Sequence, residues 1–135
     1  MSKKVIALAI LFILVFAVFT TLVVQAEFGT GWTAQYFNNT TLQGTPVYTE
    51  SLPTGINVNW GTGSPNPAVP VDNFTARFTS IQLFNQGTYE FVVSSDDGVR
   101  VLIDNALVWD RFIGRVLTTD RFQLNITAGT HAITV

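Results

Sequence analysis

Cysteine is absent from the 135-residue sequence, and histidine occurs once, as His131. The lack of cysteine excludes disulfide bonds, so a well-packed core or a bound metal has to stabilise the fold instead. The one histidine lies in the last apolar segment, where a structural role is more typical than a catalytic one, and it allows no Ser-His-Asp set. We therefore expect that this chain is not an enzyme, and that any catalytic domain lies beyond residue 135.

Positive charge is scarce. Lysine occurs only as Lys3 and Lys4, and residues 27–135 carry five arginines against nine acidic residues, a net charge of −4. No basic cluster is present, so the sequence offers no electrostatic basis for binding nucleic acid. The 109 residues after position 26 suffice for one small domain with a core, but not for two.

Charge is also missing from the N-terminal apolar run, residues 5–24, which follows Lys3 and Lys4. The run leads into the small-residue exit Val24-Gln25-Ala26. This is the layout of a secretory signal peptide, residues 1–26, cleaved after Ala26. The run is also long enough to cross a bilayer, so an uncleaved membrane anchor remains the alternative. Either way, residues 27–135 are exported to the cell surface or the extracellular space, and contact with a membrane is expected only through this segment.

Helical periodicity is absent beyond the leader, and short alternating stretches take its place. Phe74, Ala76 and Phe78 alternate with polar residues, which predicts a half-buried strand. Asp104-Asn105 predicts a two-residue hairpin turn, and the proline-rich residues 61–70 predict a long surface loop. Eight or nine such strands without a helix predict an all-β fold, an antiparallel sandwich or barrel.

The last five residues, 131–135, alternate apolar and polar side chains up to the final position. No turn or polar tail follows the strand that this pattern predicts. We therefore expect the domain at residues 27–135 to be truncated at its C-terminus, with an exposed strand edge at Ala132 to Val135.

Seven short motifs, in a fixed order, carry a family resemblance. They are Gly31–Phe37, Leu42–Val47, Val58–Gly61 with Gly63–Pro65, Asp72–Phe78, Gly87–Phe91, Ser95–Val101 and Ala128–His131. Together they resemble the PA-fourteen (PA14) domain, named for the protective antigen of anthrax toxin and found in bacterial glycosidases, cell-surface proteins and fungal adhesins. The resemblance implies a β-barrel or sandwich, and a carbohydrate-binding role in many members. The chain departs from the family in lacking the closing strand or strands after Val135.

Two adjacent carboxylates, Asp96 and Asp97, precede Gly98 at the end of an apolar strand. Like charges side by side repel, and a hard cation such as Ca²⁺ relieves the repulsion and accepts several oxygen ligands. Consecutive strand residues point to opposite faces, so a turn or a cis peptide is required for both to bind one ion. Asp110 and the carbonyls of residues 112–115 are candidates for the remaining ligands. A plain polar turn is the alternative.

The resemblance adds a function to this pair. In sugar-binding adhesins of the family, the corresponding Asp-Asp pair has a cis peptide and holds Ca²⁺, which bonds sugar hydroxyls directly. Trp109 could then stack on a sugar ring and Arg111 could donate hydrogen bonds, although Trp109 also fits a core position. The expected function is a lectin-like module that binds a glycan or cell-wall polysaccharide, in adhesion or as part of a larger surface protein. The alternative is a structural or protein-interaction domain of the same fold without a metal site.

Overall fold

The computed structural model describes residues 31–135, and the expected signal peptide at residues 1–26 lies outside the described residues. Eight β-strands and no helix make up this part of the chain, which confirms the all-β expectation. The strands are β1 (Trp32–Phe37), β2 (Tyr48–Leu52), β3 (Thr75–Phe84), β4 (Gly87–Ser95), β5 (Val99–Ile103), β6 (Ala106–Arg111), β7 (Thr118–Ile126) and β8 (Gly129–Thr134). Across residues 31–135 there is no helix with the length and apolar character needed to span a membrane.

The strands form two antiparallel sheets that enclose one core. The larger sheet has the order β2-β1-β3-β8-β5-β6, and the smaller one pairs β4 with β7. On the larger sheet, alternation turns Ala34 and Tyr36 of β1 and Val101 of β5 toward the core. Phe37, which follows Tyr36 at the end of β1, is buried as well. Fully burying one such large side chain contributes about 1.5–3 kcal/mol.

Aromatic rings hold the core around Tyr36. Its ring contacts Trp60 and Phe78 edge-on, with centroids 5.8 and 6.3 Å away. Its hydroxyl donates a 2.7 Å hydrogen bond to Glu50. Burial, followed by this contact with a carboxylate, raises the pKa of Tyr36 well above its usual value, so the phenol stays protonated. Trp32, at the start of β1, is also buried.

Strand β3 breaks the simple rule that apolar residues face inward. Ser80 and Gln82 point into the core, while Ile81 and Leu83 are 66% and 65% exposed on the outer face. The buried polar groups pair locally: Gln82 Nε2 donates to Ser80 Oγ at 2.6 Å, and Ser80 Oγ donates to the Gly31 carbonyl at 2.7 Å. Because these bonds satisfy the polar groups, the inverted pattern is tolerated.

The turns agree with the sequence pattern. Asp104 and Asn105 have φ values of 50° and 65°, the left-handed conformation that a two-residue hairpin requires, and they join β5 to β6. No strand interrupts residues 53–74, which include the expected surface loop, although Val69 within it is buried.

Strand β8 lies inside the larger sheet, between β3 and β5. It pairs with β3 along its whole length, and Val135 continues this ladder through two hydrogen bonds with Phe78, of 2.8 and 2.9 Å. Its pairing with β5 covers only Leu102 and Ile103. Within the described residues, the side of Val99–Val101 that faces β8 therefore has no strand partner. The edge expected at Ala132 to Val135 is paired with β3 instead.

Two pairings bring four strand ends together. Ser95, at the end of β4, pairs with Thr118, at the start of β7. Val99, at the start of β5, pairs with Arg111, at the end of β6. The β4–β5 and β6–β7 loops therefore lie side by side. Because β1, β3, β8 and β5 alternate in direction, the end of β1 lies toward these loops and its start lies away from them.

Candidate functional site

The candidate site is built from the acidic loop, Asp96–Gly98, and the adjacent 112–117 loop. Both carboxylates of the acidic loop are exposed, and the peptide bond between Asp96 and Asp97 is cis. The resemblance implied this geometry. Both predicted carboxylates therefore lie in one exposed loop at one end of the sandwich.

Gly98 allows the two loops to pack backbone against backbone. A Cβ at this position would lie 2.4 Å from the Ile113 nitrogen, 2.6 Å from the Ile113 oxygen and 2.8 Å from the Arg111 oxygen. These distances are shorter than any ordinary contact, and none of the atoms belongs to a side chain that could swing away. Glycine is therefore required by the close approach of the 112–117 loop.

Arg115 ties the 112–117 loop to the acidic loop. Its backbone N–H donates to Asp97 Oδ1 at 3.3 Å, and its Nε donates to the Asp97 carbonyl at 3.5 Å. Its Nη2 donates to Ser95 Oγ at 2.6 Å. Its Nη1 lies 2.6 Å from Asp120 Oδ2 in an ion pair with side chains only 12% and 14% exposed. The N–H does not point at that oxygen, which has no hydrogen-bond partner within residues 31–135, so the contact is ionic.

Asp110, the third predicted metal ligand, is already engaged. Its Oδ1 accepts the Phe112 backbone N–H at 3.0 Å, and its Oδ2 accepts Arg100 Nη2 at 3.1 Å. The hydrogen bond from Phe112 and then that from Arg100 lower the pKa of Asp110. Both oxygens of the Asp110 carboxylate are therefore occupied, one by the backbone of the 112–117 loop and the other by Arg100 on β5.

The acidic loop could supply only part of the ligands that a cation needs. Asp96 has neither a hydrogen bond nor an ion pair within residues 31–135, and Asp97 uses Oδ1 for one long hydrogen bond. No group of three or more histidine, cysteine or acidic side chains suited to a metal occurs in the described part of the chain. Ca²⁺ takes six to eight oxygens. The pair would therefore supply the charge, and carbonyls, water or ligand hydroxyls the other oxygens.

Trp109 lies beside the site in a stack of aromatic rings. Phe122 stacks on it at 4.6 Å, and Phe91 continues the stack at 5.3 Å. The Arg111 guanidinium lies over the Trp109 ring at 4.6 Å. Phe122 occupies one face of the Trp109 ring and Arg111 covers the other. A sugar could therefore stack on this ring only after Arg111 moves. The indole N–H is buried without a partner in the described residues.

The 112–117 loop carries several exposed aliphatic side chains. Ile113, Val116 and Leu117 are 67%, 79% and 70% exposed. Sequence reasoning missed both this surface and Arg115. The aliphatic surface was missed because apolar residues next to a strand usually belong to the core. Arg115 was missed because its partners are distant in sequence. Gly98 was the one local signal, because a glycine that ends a strand often marks a close backbone approach.

His131 lies away from the site, on β8 beside the β5–β6 turn. Its Nδ1 is 2.6 Å from Asp104 Oδ2, and its Nε2 is 3.1 Å from the Thr127 carbonyl. The hydrogen bond to Asp104 raises the pKa of His131. Its contacts link two turns, which is a structural role.

Comparison with known proteins agrees with this fold. The chain is 28% identical over 102 residues to the anti-sigma-I factor RsgI3 of Acetivibrio thermocellus. The match covers 75% of this chain but only 16% of RsgI3, so the chain spans about a sixth of that protein.

Two solved structures are similar in fold and sequence. An anti-sigma factor domain-containing protein has a TM-score of 0.67 and 27% identity over 78% of this chain and 37% of its own. Another, from Clostridium clariflavum, has a TM-score of 0.61 and 28% identity over 81% of this chain and 38% of its own. The model of the PA14 domain matches residues 29–130, most of the chain. The chain therefore belongs to the PA14 domain family.

Proposed function

We propose that this PA14 domain is a non-catalytic, extracytoplasmic module that binds glycans at the acidic loop with the help of Ca²⁺. The observation that carries the proposal is the placement of Asp96 and Asp97. They share one exposed loop at the end of the sandwich, and the carboxylate of Asp96 has no partner in residues 31–135. Two unneutralised carboxylates in one loop favour a hard cation, which in turn binds hydroxyl oxygens.

The surroundings of the pair suit a sugar. Arg111 is exposed, and its Nη1 uses one hydrogen bond on the Asp110 carbonyl, which leaves further N–H donors for hydroxyls. The exposed aliphatic residues of the 112–117 loop offer apolar surface for the C–H face of a sugar ring. We expect hydroxyls to bind between Arg111 and the acidic loop, and the ring face to lie toward Ile113.

The location supports recognition away from the cell. The described chain begins at Gly31, at the start of β1, which lies away from the acidic loop. If the leader is retained as an anchor, it joins the domain at the start of β1 rather than at the acidic loop. If it is cleaved, the domain is released with the same loop free.

A protein-interaction role is the second candidate, and the relatives favour it. RsgI3 and the two similar solved structures described above are named as anti-sigma factors. In that setting, the domain would be the outward-facing part of a regulator, and the exposed aliphatic side chains of the 112–117 loop would contact a protein. A glycan-binding domain within such a regulator would act as a sensor, so the two candidates differ in the ligand that occupies the loop.

The experiment is a calorimetric Ca²⁺ titration combined with a glycan-array screen of residues 27–135. Asp96→Asn and Asp97→Asn remove one charge each while preserving side-chain shape. We expect both variants to lose Ca²⁺ binding and glycan retention together, because a lost ligand leaves the ion undercoordinated. Glu90→Gln is the matched control, since Glu90 lies on the preceding strand and pairs with Arg121 at an exposed site.

Three outcomes separate the candidates. Loss of both activities in the two Asp variants but not in Glu90→Gln supports the glycan-binding role. Wild-type protein that binds neither Ca²⁺ nor any glycan rejects it and leaves the protein-interaction role. Glycan retention that survives both Asp substitutions places the ligand elsewhere on the domain.

A further inference from the structure

We propose that Arg115 is the positioning residue of the acidic loop: it fixes Asp97 and the 112–117 loop as one rigid unit. The inference deepens the proposed function, and it rests on that function only for the binding measurement. Its structural part stands on contacts that exist without any ligand.

The contacts of Arg115 converge on three separate elements. The guanidinium reaches Ser95 at the end of β4, the Asp97 carbonyl in the acidic loop and Asp120 on β7. A planar guanidinium presents its donors in a fixed fork, so contacts in several directions hold it in one orientation. The adjoining backbone N–H then meets Asp97 Oδ1. Through this arrangement the side chain sets where one carboxylate oxygen can lie.

The burial of Arg115 explains why its neighbours are exposed. Its side chain is 12% exposed, whereas Ile113, Val116 and Leu117 are each about two-thirds exposed or more. A side chain anchored beneath the loop directs the flanking residues outward. The same residue therefore positions the acidic loop and displays the aliphatic surface beside it.

The sign of the effect on Ca²⁺ affinity separates positioning from simple electrostatics. A guanidinium near a cation site repels the cation, so removing its charge should by itself strengthen Ca²⁺ binding. Positioning predicts the reverse, because Asp97 then loses its preferred orientation. A weaker Ca²⁺ affinity in an Arg115 variant therefore cannot come from the lost charge.

The test uses Arg115→Gln and Arg115→Lys, with Arg121→Gln as the matched control. Arg121 is another arginine of this end of the fold, but it pairs with Glu90 at a site where the side chains are 62% and 48% exposed. Calcium chloride is the probe for titration calorimetry, at a temperature where all proteins are folded. Hydrogen exchange of backbone amides is measured on the same proteins without Ca²⁺.

We expect Ca²⁺ affinity to fall about tenfold or more in both Arg115 variants, and the amides of residues 97–98 and 113–116 to exchange about tenfold faster. The amides of β8 should keep their wild-type protection, and Arg121→Gln should match wild type in every respect. Ser95→Ala removes only one hydrogen-bond partner of the guanidinium, so it should give a smaller rise in exchange of the same loop amides. This variant replaces the Arg115 variants if they fail to fold.

Two results would overturn the inference. One is exchange that rises equally in β8 and in the two loops, which would make Arg115 a general stabilising residue. The other is an unchanged or stronger Ca²⁺ affinity in the Arg115 variants. If wild-type protein binds no Ca²⁺, the proposed function fails, while the exchange data still decide whether Arg115 holds the acidic loop.

Discussion

Replacing Gly98 with alanine tests the close packing of the two loops. The added Cβ would lie 2.4 Å from the Ile113 nitrogen and within 2.8 Å of two backbone oxygens. An ordinary contact needs about 3.4 Å or more, so the 112–117 loop has to move by about 1 Å. Such overpacking costs about 1–3 kcal/mol. Alanine also restricts the unfolded chain, which returns about 0.4–1 kcal/mol. The difference is about 0–2.6 kcal/mol, and we expect a net loss of about 1–2 kcal/mol because the added Cβ would meet backbone atoms only.

Thermal and urea unfolding followed by circular dichroism measure this loss. For a domain of this size, about 1–2 kcal/mol corresponds to a Tm lower by roughly 4–16 °C. The matched control is Gly114→Ala, whose Cβ would meet only Asp97 Oδ1, at 3.9 Å. This change in the facing loop should alter stability by less than about 0.5 kcal/mol. A Gly98→Ala protein as stable as wild type would refute the packing argument.

Three further predictions concern other parts of the chain. The hydrogen bond between His131 and Asp104 raises the pKa of His131 and lowers that of Asp104, from ordinary values of 6.5 and 3.8. The pair should therefore stabilise the fold most between these two pH values. Tm should fall as the pH rises through the pKa of His131, and also as the pH drops through the pKa of Asp104. The His131→Gln variant should show a flatter dependence of Tm on pH. Mass spectrometry of exported protein should find an N-terminus at Glu27, whereas an intact Met1 in membranes would establish the anchor. A few alternating Thr and Val residues added after Val135 should pair with the open side of β5 and raise Tm, and an unchanged Tm would contradict this pairing.

Local chemistry was enough to predict the sheet and the acidic loop. The alternation of Ala76 and Phe78 on β3 and the Asp104-Asn105 turn have period-two and positive-φ signatures that depend on neighbouring residues only. The adjacent carboxylates and Gly98 were likewise visible in the chain. These features could be recognised because each is contained within a few consecutive positions.

Tertiary contacts decided the rest. The inward Ser80 and Gln82 are acceptable only because they bond each other and the start of β1, which no local pattern reveals. Arg115 meets Asp97 and Ser95 from positions 18 and 20 residues away. Its role depends on how β4 to β7 fold back together, so an isolated arginine in an apolar loop carried no signal.

Glycan binding at the acidic loop can be tested most directly by mapping amide chemical shifts. Labelled domain is titrated, in the presence of Ca²⁺, with a mixture of soluble cell-wall oligosaccharides. We expect saturable shifts centred on Asp96, Asp97 and Gly98 and extending into the 112–117 loop, with β8 unaffected. Saturable shifts centred on any other surface, or no shifts with oligosaccharide in large excess, would contradict the account.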